Sequence, residues 1–193
     1  MELVRARQQE LGLPEAFEWI AEVTPAMEKA AEAAGLLVFE YALMVLGDGA
    51  SPAQAPDGFV LRLVTPEDDV AALGRVAAVS FGAPVEQPEE RSELVRARLA
   101  AERTVMAAAF HDGVPVAVGV HQPVGDVTEV AGVGTLPDFR RQGLGTAVTA
   151  LLVEDARRRG VQTVFLSAGD EATARLYARL GFVRAGTSCA AGP

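Results

Sequence analysis

The residues best suited to chemistry in this chain are consecutive: Arg140, Arg141, Gln142, Gly143, Leu144 and Gly145, with Thr146 behind them. They stand between a predicted strand and a long predicted helix. The backbone amides of a helix's first turn have no partner inside the helix, and the macrodipole adds partial positive charge there. Glycines at 143 and 145 let an anion approach those amides closely. Arg140 and Arg141 add local positive charge. The construction suits a pyrophosphate. Two other phosphate loops are excluded by their neighbours. A P-loop ends in Gly-Lys-Ser/Thr, and here Thr146 and Ala147 follow Gly145. A dinucleotide fingerprint needs Gly or Ala where Val148 stands, and an acidic residue after the next strand.

The elements that must position this loop follow from pattern and punctuation. Residues 59–64 alternate as a strand. Thr65 and Pro66 are expected to cap a helix to about Ser80, with Asp68 in a capping box with Thr65. Pro88 is expected to open a helix to about Arg103. Residues 104–110, the turn His111-Asp112-Gly113 and residues 114–121 read as a hairpin. Residues 127–135 form a further strand. Residues 144–159 form a long helix with apolar residues at 144, 148, 151 and 152, closed by three arginines and Gly160. A strand at 161–166, a helix at 170–180 ended by Gly181, and a poor strand at 182–190 complete a βααβββαβαβ order. That order mixes an antiparallel meander with one crossover.

The spacing Arg-x-x-Gly-x-Gly at 140–145 resembles the acyl-CoA-binding signature of the GNAT superfamily of N-acetyltransferases. Thr135, Leu136, Pro137, Asp138 and Phe139 precede it like that family's strand-to-loop passage. Leu176, Tyr177, Leu180, Gly181 and Phe182 resemble its C-terminal LYxxLGF segment. The element order over 59–193 is similar as well. The resemblance implies an α+β fold, with a mixed, mostly antiparallel sheet, a splayed parallel strand pair and flanking helices. It also implies an acyltransferase that moves an acetyl group from acetyl-CoA to a primary amine by direct attack, without a metal. A non-catalytic acyl-CoA-binding sensor or interaction module is the alternative. Acetylation of a protein would differ only in the acceptor.

The resemblance gives roles to particular residues. Tyr177 would be the general acid for the departing thiolate; otherwise it packs its ring and exposes its hydroxyl. Glu129 would be the base, in a partly apolar setting that raises its pKa; otherwise it faces solvent. Gly132 and Gly134 would make a bulge around Val133, so that Val133, Gly134 and Thr135 pair with the pantetheine arm; otherwise the strand is merely weak. Residues 140–146 would hold the pyrophosphate. Asp170 stands where the family often has Asn, so it either touches the cofactor or caps its helix.

Composition sets the limits. The chain has 193 residues, half of them apolar, with a formal charge of -9. That acidity and the lack of a basic cluster argue against nucleic acid as a partner. Cys189 is the sole cysteine, which excludes an internal disulfide and a cysteine-rich metal site. His111 and His121 lack ligand spacing and read as partly exposed polar residues. No signal peptide is evident, and the apolar run at 36–46 reads as a buried strand rather than a membrane span, so a cytoplasmic location is expected.

Residues 1–46 read helix, strand, helix, strand, with Thr24 and Pro25 starting the second helix and Gly35 ending it. Laying Trp19 on Phe165 runs without a gap to Leu37 on Val183, and puts Gly35 on Gly181 and Ala31 on Tyr177. The segment resembles the end of a degenerate N-terminal half in tandem members of the superfamily. It is joined by a linker at 47–58 to the catalytic domain at 59–193. It should pack on that domain or on a second chain, which makes a homodimer one of two expected arrangements.

Overall fold

The computed structural model describes residues 1–49, 52–85 and 89–193. In chain order the elements are α1 (Glu2–Glu10), β1 (Phe17–Ile20), α2 (Met27–Ala33), β2 (Leu37–Leu46), β3 (Val60–Leu63), α3 (Val70–Phe81), α4 (Glu89–Ala100), β4 (Val105–His111), β5 (Val114–Val124) and β6 (Val127–Thr135). A short 3-10 turn (Pro137–Phe139), α5 (Leu144–Arg158), β7 (Thr163–Ala168), α6 (Glu171–Ala178) and β8 (Phe182–Gly192) follow. These elements fall into two units.

The larger unit comprises Val45–Leu166 and Leu176–Phe182. Its strands lie in the order β7-β6-β5-β4-β3. β3 to β6 form an antiparallel meander. Asp112 and Gly113, both at positive φ, turn β4 into β5 as the hairpin signal predicts. β6 and β7 are parallel, because α5 carries the chain back between them. The expected mixed, mostly antiparallel sheet is therefore present.

Helices cover both faces of that sheet. Val118 belongs to one core with Val70, Leu73 and Val76 of α3 and Leu99 of α4. Gly119, the next residue, faces the other way. A Cβ there would meet Val148 Cγ1 at 2.8 Å, so the missing side chain lets α5 press on β5. Leu144, Val148 and Leu152 are fully buried beneath α5.

The smaller unit comprises Met1–Met44, Ser167–Arg175 and Val183–Pro193. Its strand order is β1-β8-β2. β1 pairs antiparallel with β8, from Phe17 against Ala191 to Ile20 against Ser188. Phe17, Trp19, Ala31, Leu36, Cys189 and Ala191 form its core.

Several expectations are corrected. β8 is a full strand of 11 residues rather than a poor one. Its pairing with β1 supplies order that the small residues from Ser188 to Ala191 do not carry themselves. β2 is not a buried strand: Leu37 and Phe39 are 61% and 51% exposed. Thr24 does not cap α2. Its hydroxyl donates to Ile20 O at 3.4 Å within a turn, and Ala26 is the N-cap. Asp69, not Thr65, caps α3, accepting from Ala72 N at 2.9 Å. Asp68 does take the Thr65 amide at 2.8 Å. However, Arg62 also grips Asp68 with two hydrogen bonds of 2.6 and 2.8 Å, so residues 65–68 make a turn ahead of the helix. The Arg62 guanidinium holds the Asp68 carboxyl at about 2. The predicted helix start at Pro88 lies outside the described residues, and α4 is described from Glu89.

Gly181 has φ +95, and a Cβ there would stand 1.8 Å from the Gly49 carbonyl oxygen. Both backbone strain and a backbone clash therefore oppose a side chain. Gly181→Ala should cost roughly 2–4 kcal/mol in chemical denaturation; a loss below about 0.5 kcal/mol would refute this account of the turn.

Candidate active site

The loop after β6 is built so that its amides stay available. Gly143, at φ +81, is the N-cap of α5 and brings no capping side chain. The first internal bond of α5 runs from Ala147 N to Gly143 O at 2.9 Å. The amides of Leu144, Gly145 and Thr146 lie ahead of it. The Leu144 side chain is 1% exposed, so this residue anchors the turn in the core. Arg140 is a brace: it donates to Thr135 O and to Ser80 O, both at 3.2 Å. Arg141 and Gln142 are exposed. Arg141 sits at φ +62, a strained conformation for a side-chain-bearing residue that costs roughly 1 kcal/mol.

The strand before the loop carries the expected bulge. Val118 opposes Gly134 and Val120 opposes Ala131, so β6 has one residue too many here, and Gly132 takes φ +59. The bulge turns Val133 toward α5, where a Cβ on Gly145 would meet Val133 Cγ1 at 3.7 Å and Thr135 Oγ1 at 3.9 Å. Gly134 is bare for a different reason: a Cβ would meet Ser80 Cβ at 2.6 Å. The end of α3 thus packs on the opposite side of the same strand. β6 and β7 pair from Val127 against Thr163 to Glu129 against Phe165. Pairing stops there while both strands continue, which is the expected splay.

Glu129 is the last residue of β6 in that parallel pairing and is half-buried. It opposes Gln122, on the sheet face away from α5. Its neighbours Thr128 and Val130 are buried.

Tyr177 is 8% exposed, with its ring edge-on to Phe182 at 5.9 Å. Little of the residue reaches solvent. Burial pushes the phenol pKa up, and a hydrogen bond with the Thr149 side chain opposes that rise. The Thr149 hydroxyl donates in turn to Gly145 O at 2.8 Å. Thr149 therefore lies beside both Tyr177 and the glycine loop. Sequence reading did not single out Thr149; its position one turn after Gly145 was the available signal. Asp170 caps α6, accepting from Thr173 N at 2.7 Å.

His121 corrects the expectation of a partly exposed residue. It is fully buried, with Nδ1 3.0 Å from Thr128 Oγ1 and Nε2 3.1 Å from Asp155 Oδ2. Burial lowers its pKa more than Asp155 raises it, so the ring favours the neutral form. Arg159 closes the network at 2.5 Å from Asp155. The network pins α5 to β5 and β6.

A cavity of about 380 Å³ lies between α3 and α4 and is lined by Val70, Phe81, Val95 and Met106 with Arg91 at its edge. Phe81 also abuts Gly134, so this cavity approaches the bulged part of β6. Among the described residues no His, Cys, Asp and Glu group could hold a metal.

The buried phenol is open to direct measurement. The chain has two tyrosines, Tyr41 and Tyr177. In an ultraviolet titration of the folded protein, Tyr177 should ionise above the ordinary value of 10.0. Tyr177→Phe should remove that later step, and Thr149→Val should move it higher still. A late step that survives in Tyr177→Phe would contradict the assignment.

The chain is similar to known proteins. The sequence pattern of the "Acetyltransferase (GNAT) family" matches residues 71–182. A mycothiol acetyltransferase of Cellulomonas flavigena is 31% identical over 99% of this chain and 61% of its own length. The ribosomal protein bS18-alanine N-acetyltransferase of Escherichia coli is 36% identical over 37% of this chain and 49% of its own. The chain thus spans about half to three-fifths of these relatives. A GCN5-related N-acetyltransferase from Kribbella flavida superposes with a TM-score of 0.75 at 27% identity, over 99% of this chain and 72% of its own. Because the family pattern runs through the glycine loop, the helix behind it and Tyr177, and takes in more than half of the sequence, this chain belongs to the GNAT family of acetyltransferases.

Proposed function

We propose that this protein transfers an acetyl group from acetyl-CoA to a primary amine. The observation that carries the reading is the buried Tyr177, with Thr149 beside it bonded to Gly145 of the glycine loop. The local chemistry fits the cosubstrate. Uncapped amides at 144–146 suit a pyrophosphate. β6 beyond Glu129 is left without a parallel partner, so main-chain groups of residues 133–135 can pair with an extended arm.

In this reading Glu129 accepts the proton that the amine loses on attack. The new C–N bond forms as the C–S bond breaks. Tyr177 gives its proton to the departing sulfur, and its raised pKa keeps that proton in place at neutral pH. The apolar cavity between α3 and α4 supplies the acceptor side. An acceptor related to that of the mycothiol acetyltransferases is the first to try, given the 31% identity.

Thiol release measured across a panel of amines tests the proposal. Turnover with at least one amine is expected, with kcat reduced more than tenfold in Tyr177→Phe, a loss of more than about 1.4 kcal/mol of transition-state stabilisation. CoA binding without turnover on any amine would favour a binding module instead.

We also propose that residues 1–46 are the remnant of a second, degenerate unit. Support comes from the repeated pattern: β1, α2, Gly35 at φ +79 and β2 match β7, α6, Gly181 at φ +95 and β8. Ala31 takes the place of Tyr177, which deprives this unit of an acid. β1 pairs with β8, so a chain beginning at Ala55 should lose solubility or change mass in light scattering. Equal stability at unchanged mass would remove the idea.

A further inference from the structure

The cavity between α3 and α4 has a charge preference as well as an apolar lining. Among the described residues its side chains are apolar except Arg91 and Ser92. Arg91 is its one charged residue, and no carboxylate lines it, although the protein carries a formal charge of -9. Neighbouring arginines are committed: Arg62 holds Asp68, Arg75 faces Asp69, and Arg96 holds Glu89. Arg91 has no ion pair or hydrogen bond among the described residues. Ser92 is 3% exposed, and its hydroxyl likewise has no partner there. A buried hydroxyl left unpaired is unfavourable unless a ligand supplies the partner. Two adjacent donors and no acceptor carboxylate make this end of the cavity suited to an anion.

The opposite end leads toward Glu129. Met106 lines the cavity and pairs with Val120, and Gln122, two residues further along β5, opposes Glu129. Alternate residues of a strand share a face, so Met106 and Glu129 stand on the same side of the sheet. Two strand spacings and two residues separate them, roughly 12 Å. Phe81 lines the cavity too, is 62% exposed, and abuts Gly134 of the bulged strand. An amine near Glu129 can therefore keep an apolar body against Phe81, Val95 and Met106 while its far end reaches α4.

Resting on the acetyl-transfer reading above, we propose that Arg91 selects the acceptor: a small primary amine with an apolar body and a carboxylate at the end away from the amine. Ser92 is a second donor to that carboxylate. The apolar wall holds the body, and the distance to Glu129 sets the length. An ω-amino acid such as 8-aminooctanoate has nine bonds between its nitrogen and a carboxylate oxygen, roughly 10 Å when extended. The side chains of Glu129 and Arg91 span the remainder.

Ligand-observed NMR titration of the CoA-loaded protein with 8-aminooctanoate and with 8-aminooctanamide, which lacks the charge, tests the selection without requiring turnover. Wild type should bind the acid about tenfold more tightly than the amide, as expected for one charge-assisted contact. Arg91→Ala should bind the two alike, while Arg91→Lys and Ser92→Ala should each keep part of the preference. CoA affinity should be the same in all four proteins. A wild type that binds no acid or shows no preference, or a preference that survives in Arg91→Ala, would overturn the inference. Preferential binding of the acid with no thiol release from acetyl-CoA on any amine would support the selection and overturn the transfer reading beneath it.

Discussion

The first turn of α5 has to satisfy two opposed demands. Its side chains must be buried to hold the helix on the sheet, and its amides must remain without internal partners. Gly143 and Leu144 divide the task. Gly143 turns the chain at positive φ without offering a side-chain cap, and Leu144 sinks into the core immediately after it. A serine or aspartate cap would have satisfied an amide and stabilised the helix by about 1 kcal/mol. The chain forgoes that stabilisation and leaves those amides without a cap.

The surrounding structure keeps that turn in place. Gly119 lets α5 lie close on β5, and the buried His121–Asp155–Arg159 network fixes the helix further along. Such a network is costly to bury and costly to break, because removing one partner strands the others. From the opposite side, α3 packs against Gly134, and Arg140 ties the carbonyls of Ser80 and Thr135 together. The bulge at Gly132 and the loop at Gly143 are therefore held by the same few contacts.

Tyr177 is a buried phenol. Burial removes the ring from water and raises the phenol's pKa, and the Thr149 side chain opposes that rise. One helix thus carries both the uncapped turn and the Thr149 side chain beside the phenol. No helix among the described residues is long and apolar enough to cross a membrane.

Local chemistry was legible in the sequence because it depends on neighbours in the chain. The glycine loop, the hairpin at Asp112 and Gly113, the bulge at Gly132, the Asp170 cap and the order of strands and helices all follow from turn propensities and periodicity over a few residues. Competition between partners distant in sequence was not legible. Arg62 captured Asp68, so the predicted cap of α3 passed to Asp69. A weak run of small residues became a full strand because β1 lies beside it. His121 left the surface because Thr128 and Asp155 satisfy both its nitrogens. The linker's start lies beside α5 because Gly181 and Arg157 hold Gly47 there. In each case the decisive partner lies elsewhere in the chain or on another element, and only folding brings the two within hydrogen-bonding or packing range.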